Sequence, residues 1–138
     1  MKLSTKGKYG LKAMFELALH YGEGPISLNA IAENQNISLN YLEQIIAKLK
    51  KDNLVKSYRG AYGGYKLSTE PKNITISMVL NSLEGEITLS ECLGGEEHIC
   101  ENIQSCVTRP IWKKINESIY SVIDHMTLQD MLDDYVEE

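Results

Sequence analysis

ISLNYLEQIIAKLKK, residues 37–51, decides how the rest of the chain is read. Ser38 offers a hydroxyl to the free amides of a helix start and is a favoured N-cap. Beyond it, Leu42, Ile45, Ile46 and Leu49 recur at helical spacing and share one face. Asn40, Tyr41, Gln44 and Lys48 fall on the opposite side. The apolar stripe docks this helix; the polar side is left for a partner. Ahead of it, Ser27 caps a short helix through about Gln35, and Asn36 with Ile37 makes a tight turn. Two short helices joined so tightly, the second capped and longer, form a helix-turn-helix.

Working outward, Leu54–Arg59 is strand-like, the run Gly60-Ala61-Tyr62-Gly63-Gly64 supplies a turn, and Tyr65–Leu67 returns as a second strand. That hairpin is a wing. Upstream, residues 5–21 read as a helix, with Leu11, Met14, Phe15 and Ala18 at i, i+3, i+4 and i+7, ended by Gly22 and Gly24. Downstream, residues 74–84 fit another helix, with Ile76, Val79, Leu80 and Leu83 inward and Gly85 closing it. Pro110 suits the first turn of a further helix running to about His125. On it Ile111, Ile115, Ile119, Val122 and Met126 form a stripe, widened by Trp112 and Ile123. Thr127 caps a last short helix, Leu128–Tyr135. The expected fold is mostly α with a small β wing: a winged helix-turn-helix (1–84), a cysteine-containing loop (85–108), and a long C-terminal dimerisation helix with a short helix after it (109–138).

The whole chain has 138 residues, 43% of them hydrophobic and 24% charged, enough for one core and against wholesale disorder. No apolar run approaches the roughly 18 residues of a membrane span, and MKLSTKGKYG lacks an apolar signal core. The expectation is a cytoplasmic protein with no membrane partner. Its net charge of -5 conceals a division. Residues 1–66 hold ten Lys/Arg against five acids, and residues 67–138 hold four against fourteen. A basic half fused to an acidic one suits a polyanion partner for the first; ordinary solvated surface is the alternative.

The amides of Asn40 and Gln44 suit adenine edges in a major groove, with Tyr41 beside them. Ser38 sits where a helix start can meet phosphate. Arg59 and Gly60 lead the glycine-rich turn, where an arginine can enter a minor groove. Lys2, Lys6, Lys8 and Lys50 are phosphate binders that read no sequence. Glu43 is out of place on such a face: it either selects cytosine or repels many sequences. The alternative is a winged helix used only for protein contacts. The sequence contains no glycine-rich nucleotide fingerprint, nucleophile elbow or zinc-protease helix, so an enzyme is the weakest class.

From Glu86 to Thr108 the periodicity fails, and this stretch holds all three cysteines, Cys92, Cys100 and Cys106, spaced C-x7-C-x5-C. Soft thiolates on an irregular loop suit an iron–sulfur cluster, and the loop precedes a helix N-terminus whose partial positive charge favours an anion. Zinc, or a set of free thiols, fits the spacing equally.

Three blocks carry a family resemblance: LSTKGKYGLKAM (3–14), ISLNYLEQIIAKLKK (37–51) and LVKSYRGAYGGYKL (54–67). Together they resemble the Rrf2 family of bacterial winged-helix transcription regulators, densely over residues 1–84. The resemblance implies a homodimer on a palindromic double-stranded DNA operator, with the long helix near the C-terminus crossing between subunits. Three cysteines before that helix are similar to the iron–sulfur cluster regulator (IscR) branch. They imply a cluster held by Cys92, Cys100 and Cys106, with 2Fe–2S favoured over 4Fe–4S. A different branch, which represses cysteine metabolism, lacks this group of thiols. The cluster branch has a histidine three residues after its third cysteine. Here that position is Arg109, a protonated guanidinium with no free lone pair. His98, in a first cysteine gap two residues longer, is one candidate fourth ligand; a glutamate, the other subunit or solvent are others. Some relatives complete the cluster with an acidic residue from the partner's N-terminal region, but Lys8 stands at the aligned place here. The competing implication is a cluster-free thiol or zinc sensor regulating cysteine or sulfur metabolism, with an unknown protein partner in a further variant.

Overall fold

A computed structural model of the chain describes residues 4–85 and 107–135. Its elements follow from local chemistry. Ser4 caps α1 (Thr5–Leu19), Ser27 caps α2 (Leu28–Gln35) and Ser38 caps α3 (Leu39–Lys51), each hydroxyl accepting a first-turn amide hydrogen. Asn36 ends α2 in the left-handed region at φ 54°, a conformation a short polar side chain tolerates, and so reverses the chain into α3. Strands β1 (Val55–Tyr58) and β2 (Gly64–Leu67) pair antiparallel, Val55 opposite Leu67 and Tyr58 opposite Gly64. This is the winged helix-turn-helix expected, mostly α with a two-stranded wing.

The fourth helix starts later than its apolar pattern suggests. Pro71–Asn73 form a single 3-10 turn, Ile74 is extended and buried, and Thr75 caps α4 (Ile76–Glu84) by accepting the Met78 amide hydrogen at 3.2 Å. Periodicity counted Ile74 as helical because a buried residue looks alike in both conformations.

α1, α3 and α4 enclose one core: Met14, Leu17, Ile31, Leu42, Ile45, Ile46, Leu49, Ile74 and Val79 are essentially without solvent contact. α1 and α4 cross closely. A Cβ at Gly10 would stand 2.0 Å from a Leu83 methyl, and one at Gly7 would stand 2.7 Å from a Glu84 oxygen.

α5 (Arg109–Ile123) has no fully buried residue, although Tyr120 and Ile123 near its end pack against that core. It touches α4, where the Tyr120 hydroxyl donates to Asn81 Oδ1 at 3.3 Å. α6 (Leu128–Asp134) turns back. The Leu128 amide donates to the Ile74 carbonyl at 2.9 Å, the Ile76 amide donates to the Met126 carbonyl at 2.8 Å, and Leu128 is fully buried in the same core. Phe15 and Tyr135 meet edge to face at 5.1 Å. No described helix is long and apolar enough to cross a membrane.

Candidate nucleic-acid interface

The recognition surface is built on α3. Leu42, Ile45, Ile46 and Leu49 anchor it from below, each burial contributing about 1.5–3 kcal/mol. Asn40, Glu43, Gln44 and Lys50 stand in solvent above. Asn40 and Gln44 have no side-chain hydrogen bond among the described residues, so their amides are free for an incoming edge. Ser38 is exposed; its oxygen accepts the Tyr41 amide hydrogen at 3.4 Å, and its own hydrogen remains available.

Two residues of this face are less free than their spacing implies. Tyr41 is half-buried. Its hydroxyl lies 3.1 Å from Thr5 Oγ1, and its ring meets Tyr9 edge to face at 5.8 Å, which ties the start of α3 to α1. Lys48 is paired with Asp52 at 3.3 Å. Asp52 also accepts from Ser82 at 2.5 Å; that bond, helped by Lys48, holds its carboxyl below the usual aspartate range.

The wing stands beside α3 and is pinned from behind. Ile26 donates to the Tyr65 carbonyl at 3.0 Å, and Tyr65 donates to the Ile26 carbonyl at 2.8 Å, so the residue before the Ser27 cap joins the hairpin. Glycines make this approach and the tight turn of the hairpin possible. A Cβ at Gly64 would meet the Ile26 carbonyl oxygen at 2.3 Å, and one at Gly63 would meet the Tyr58 carbonyl oxygen at the same distance. Arg59 and Gly60 are exposed at the head of the turn, and Tyr62 at its tip is 94% exposed. Lys6, half-exposed, and Lys8, exposed, lie in the first turn of α1. Among the described residues Lys6, Lys8, Lys50 and Arg59 have no ion-pair partner, whereas Lys48 and Lys72 do.

Sequence reasoning passed over two carboxylates. Glu16, only 6% exposed, accepts from Asn34 Nδ2 at 3.1 Å and Gln35 Nε2 at 2.8 Å, clamping the end of α2 to α1. An acid among Ala13, Met14 and Leu17 on a buried face was the available signal. Glu84 accepts from the Gly7 amide at 2.7 Å and from the Ser4 hydroxyl. An acid at the end of a helix opposes that helix's own dipole, which hints at an outside partner.

Cys92, Cys100, Cys106 and His98 lie outside the described residues. Among the described residues no group of three or more His, Cys, Asp and Glu is placed to hold a metal ion. Arg109 heads α5, and its Nε is shielded from solvent without an acceptor among the described residues.

Residues 3–134 match the Rrf2 family, described as an iron-dependent transcriptional regulator. The HTH-type transcriptional regulator CymR of Bacillus subtilis is 46% identical over 131 residues, spanning 95% of this chain and 89% of CymR. The solved structure of CymR, the global cysteine regulator of B. subtilis, has a TM-score of 0.83 at 41% identity, covering 99% of each chain. IscR of T. potens has a TM-score of 0.80 at 43% identity, covering 100% of this chain and 94% of the other. Overall likeness falls on both branches, and CymR fits at least as well.

Proposed function

This chain belongs to the Rrf2 family of transcriptional regulators, and on that premise we propose that it is a cytoplasmic homodimer that reads a palindromic operator and responds to iron–sulfur or thiol status. Its relatives are regulators of transcription rather than enzymes. In this reading α3 enters the major groove: Asn40 and Gln44 contact base edges, Ser38 meets phosphate, and Tyr41 packs behind them as a support. Arg59 and Gly60 bring the wing to the adjacent minor groove, and Lys6, Lys8 and Lys50 neutralise phosphates. The carrying observation is the docked apolar side of α3 beneath free amides, with a wing pinned in fixed relation to it.

The dimer rests on α5. Ile111 at 53% and Val122 at 57% exposure, with Trp112, Ile115 and Met126, leave an apolar stripe in water, and burying it on a second copy is the economical solution. A dimer presents two α3 helices about one DNA turn apart. Selection from a randomised duplex library tests this: two inverted half-sites at one-turn spacing support it, and a single unpaired half-site opposes it.

For the signal, the donor set supports an iron–sulfur cluster, with Cys92, Cys100 and Cys106 as ligands and His98 a candidate fourth; 2Fe–2S is the favoured type. Three soft thiols suit iron, and Arg109 Nε, three residues past Cys106 and without an acceptor among the described residues, suits a neighbouring anion. A bound cluster would supply redox sensitivity there. The second reading is a cluster-free thiol sensor of sulfur status, supported by the likeness to CymR. Iron and acid-labile sulfide counts on anaerobically purified protein separate them. Iron with sulfide supports the cluster, while neither metal nor sulfide, with three free thiols, supports the alternative. A Cys92, Cys100 and Cys106 triple alanine variant that kept any visible absorption would remove these ligands.

A further inference from the structure

We infer that Glu84 is a positioning residue for DNA binding: its carboxylate, from the end of α4, holds the first turn of α1 where Lys6, Lys8 and Tyr41 need it. The inference rests on the DNA-reading role proposed above and deepens it.

The first amides of α1 have no partner within the helix. Ser4 satisfies one, its oxygen accepting the Lys6 amide hydrogen at 3.2 Å. The next is satisfied from outside, by Glu84 Oε1 at 2.7 Å from the Gly7 nitrogen. The same Oε1 takes the Ser4 hydroxyl hydrogen. One oxygen thus ends a chain from Lys6 N–H through Ser4 to Glu84, and the positive end of the α1 dipole favours the charge placed there. The approach requires Gly7, because a Cβ there would stand 2.7 Å from that oxygen and 3.2 Å from a Leu80 methyl.

The held turn, with Tyr9 just after it, also touches the start of the recognition helix. Thr5 Oγ1 meets the Tyr41 hydroxyl at 3.1 Å, and Tyr9 meets its ring. Lys6 and Lys8 project from the same turn. Glu84 therefore sets the register of two cations and of the α3 start together. It contributes no base contact and no phosphate contact of its own.

The sign of its effect is diagnostic. Deleting an acid near a polyanion tightens binding if charge alone matters. Positioning predicts the reverse. We expect Glu84→Ala to weaken binding to the library-selected duplex about tenfold and to lower the salt slope by about one to two, since each lost phosphate contact removes about 0.9. Glu84→Gln, whose carbonyl oxygen accepts both hydrogens, restores affinity to within about threefold. Ser4→Ala weakens binding in the same direction by less. Urea midpoints and active fractions from stoichiometric titration accompany each variant, so that affinity is read per folded dimer. A purely structural role would lower the midpoint and leave the slope of the active fraction unchanged. Glu84→Ala affinity at or above wild type, or an unchanged slope, overturns the inference. If Glu84→Ala does not fold, wild-type slope and affinity in Ser4→Ala overturn it. Wild type that fails to prefer its selected duplex over a scrambled one sinks the DNA-reading role itself, a separate result.

Discussion

Substituting alanine for Gly64 and, separately, for Gly60 isolates what pins the wing. Both glycines have positive φ, +152° and +105°, so both substitutions carry backbone strain of about 1–3 kcal/mol. They differ in surroundings. Around Gly60 nothing lies within 4 Å of a built Cβ, whereas at Gly64 the Cβ meets the Ile26 carbonyl oxygen at 2.3 Å and its carbon at 2.6 Å. Both obstacles are backbone and cannot rotate aside. Ile26 must retreat, which breaks its two hydrogen bonds with Tyr65, at 3.0 and 2.8 Å. Each contributes about 0.5–1.5 kcal/mol net. Gly64→Ala should therefore cost about 1–3 kcal/mol more than Gly60→Ala, with the hairpin freed from the start of α2. Urea unfolding followed by circular dichroism measures this; with a slope of about 1–3 kcal/mol/M, the Gly64 variant unfolds roughly 1 M earlier than the Gly60 variant. Equal midpoints would refute the reasoning, because strain alone would then account for both.

Three further outcomes follow from the same geometry. Arg59→Ala should weaken operator binding and reduce the salt slope by about one, whereas Gln44→Ala should relax preference at one base pair by about 1–3 kcal/mol and leave the slope alone; anisotropy titrations across salt concentrations distinguish them. Replacing Ile115 and Val122 together by glutamate places charge on the exposed α5 stripe, and sedimentation should show dimer giving way to monomer with unchanged helicity. Asp52 has its folded pKa lowered from 3.8, first by the Ser82 hydrogen bond and then by Lys48. A lowered carboxylate contributes stability above its unfolded value and loses it as pH falls through the folded value. Carbon NMR should thus titrate Asp52 below 3.8 in wild type and closer to 3.8 in Ser82→Ala.

Much of the fold was legible because it is written in local chemistry. Ser27, Ser38 and Thr127 announce their helices by capping, and Leu42, Ile45, Ile46 and Leu49 announce a docked face by period. The glycine run after Arg59 announces a turn. What escaped is what depends on separation along the chain. Glu84 bonds to a residue 77 positions away and Glu16 to residues 18 and 19 positions away, and no period records such partners. Ile26 pairs with the wing and Leu128 returns to the first core for the same reason: each is closed by tertiary backbone bonds. Tyr41 shows the limit within a helix. Its position predicts the reading face, yet a ring that long also reaches α1, and the contact with Thr5 and Tyr9 decides its burial. The roles proposed for Cys92, Cys100, Cys106 and His98 rest on spacing, chemistry and resemblance, because these residues lie outside the described ones.

The most direct test of the DNA-reading account is the ratio of affinities for the selected duplex and a scrambled duplex of equal length and composition, both at one physiological salt concentration. A groove-reading α3 with a pinned wing predicts a preference of about a thousandfold or more. Equal affinity would mean that the basic face holds phosphate without reading bases, and would contradict the account.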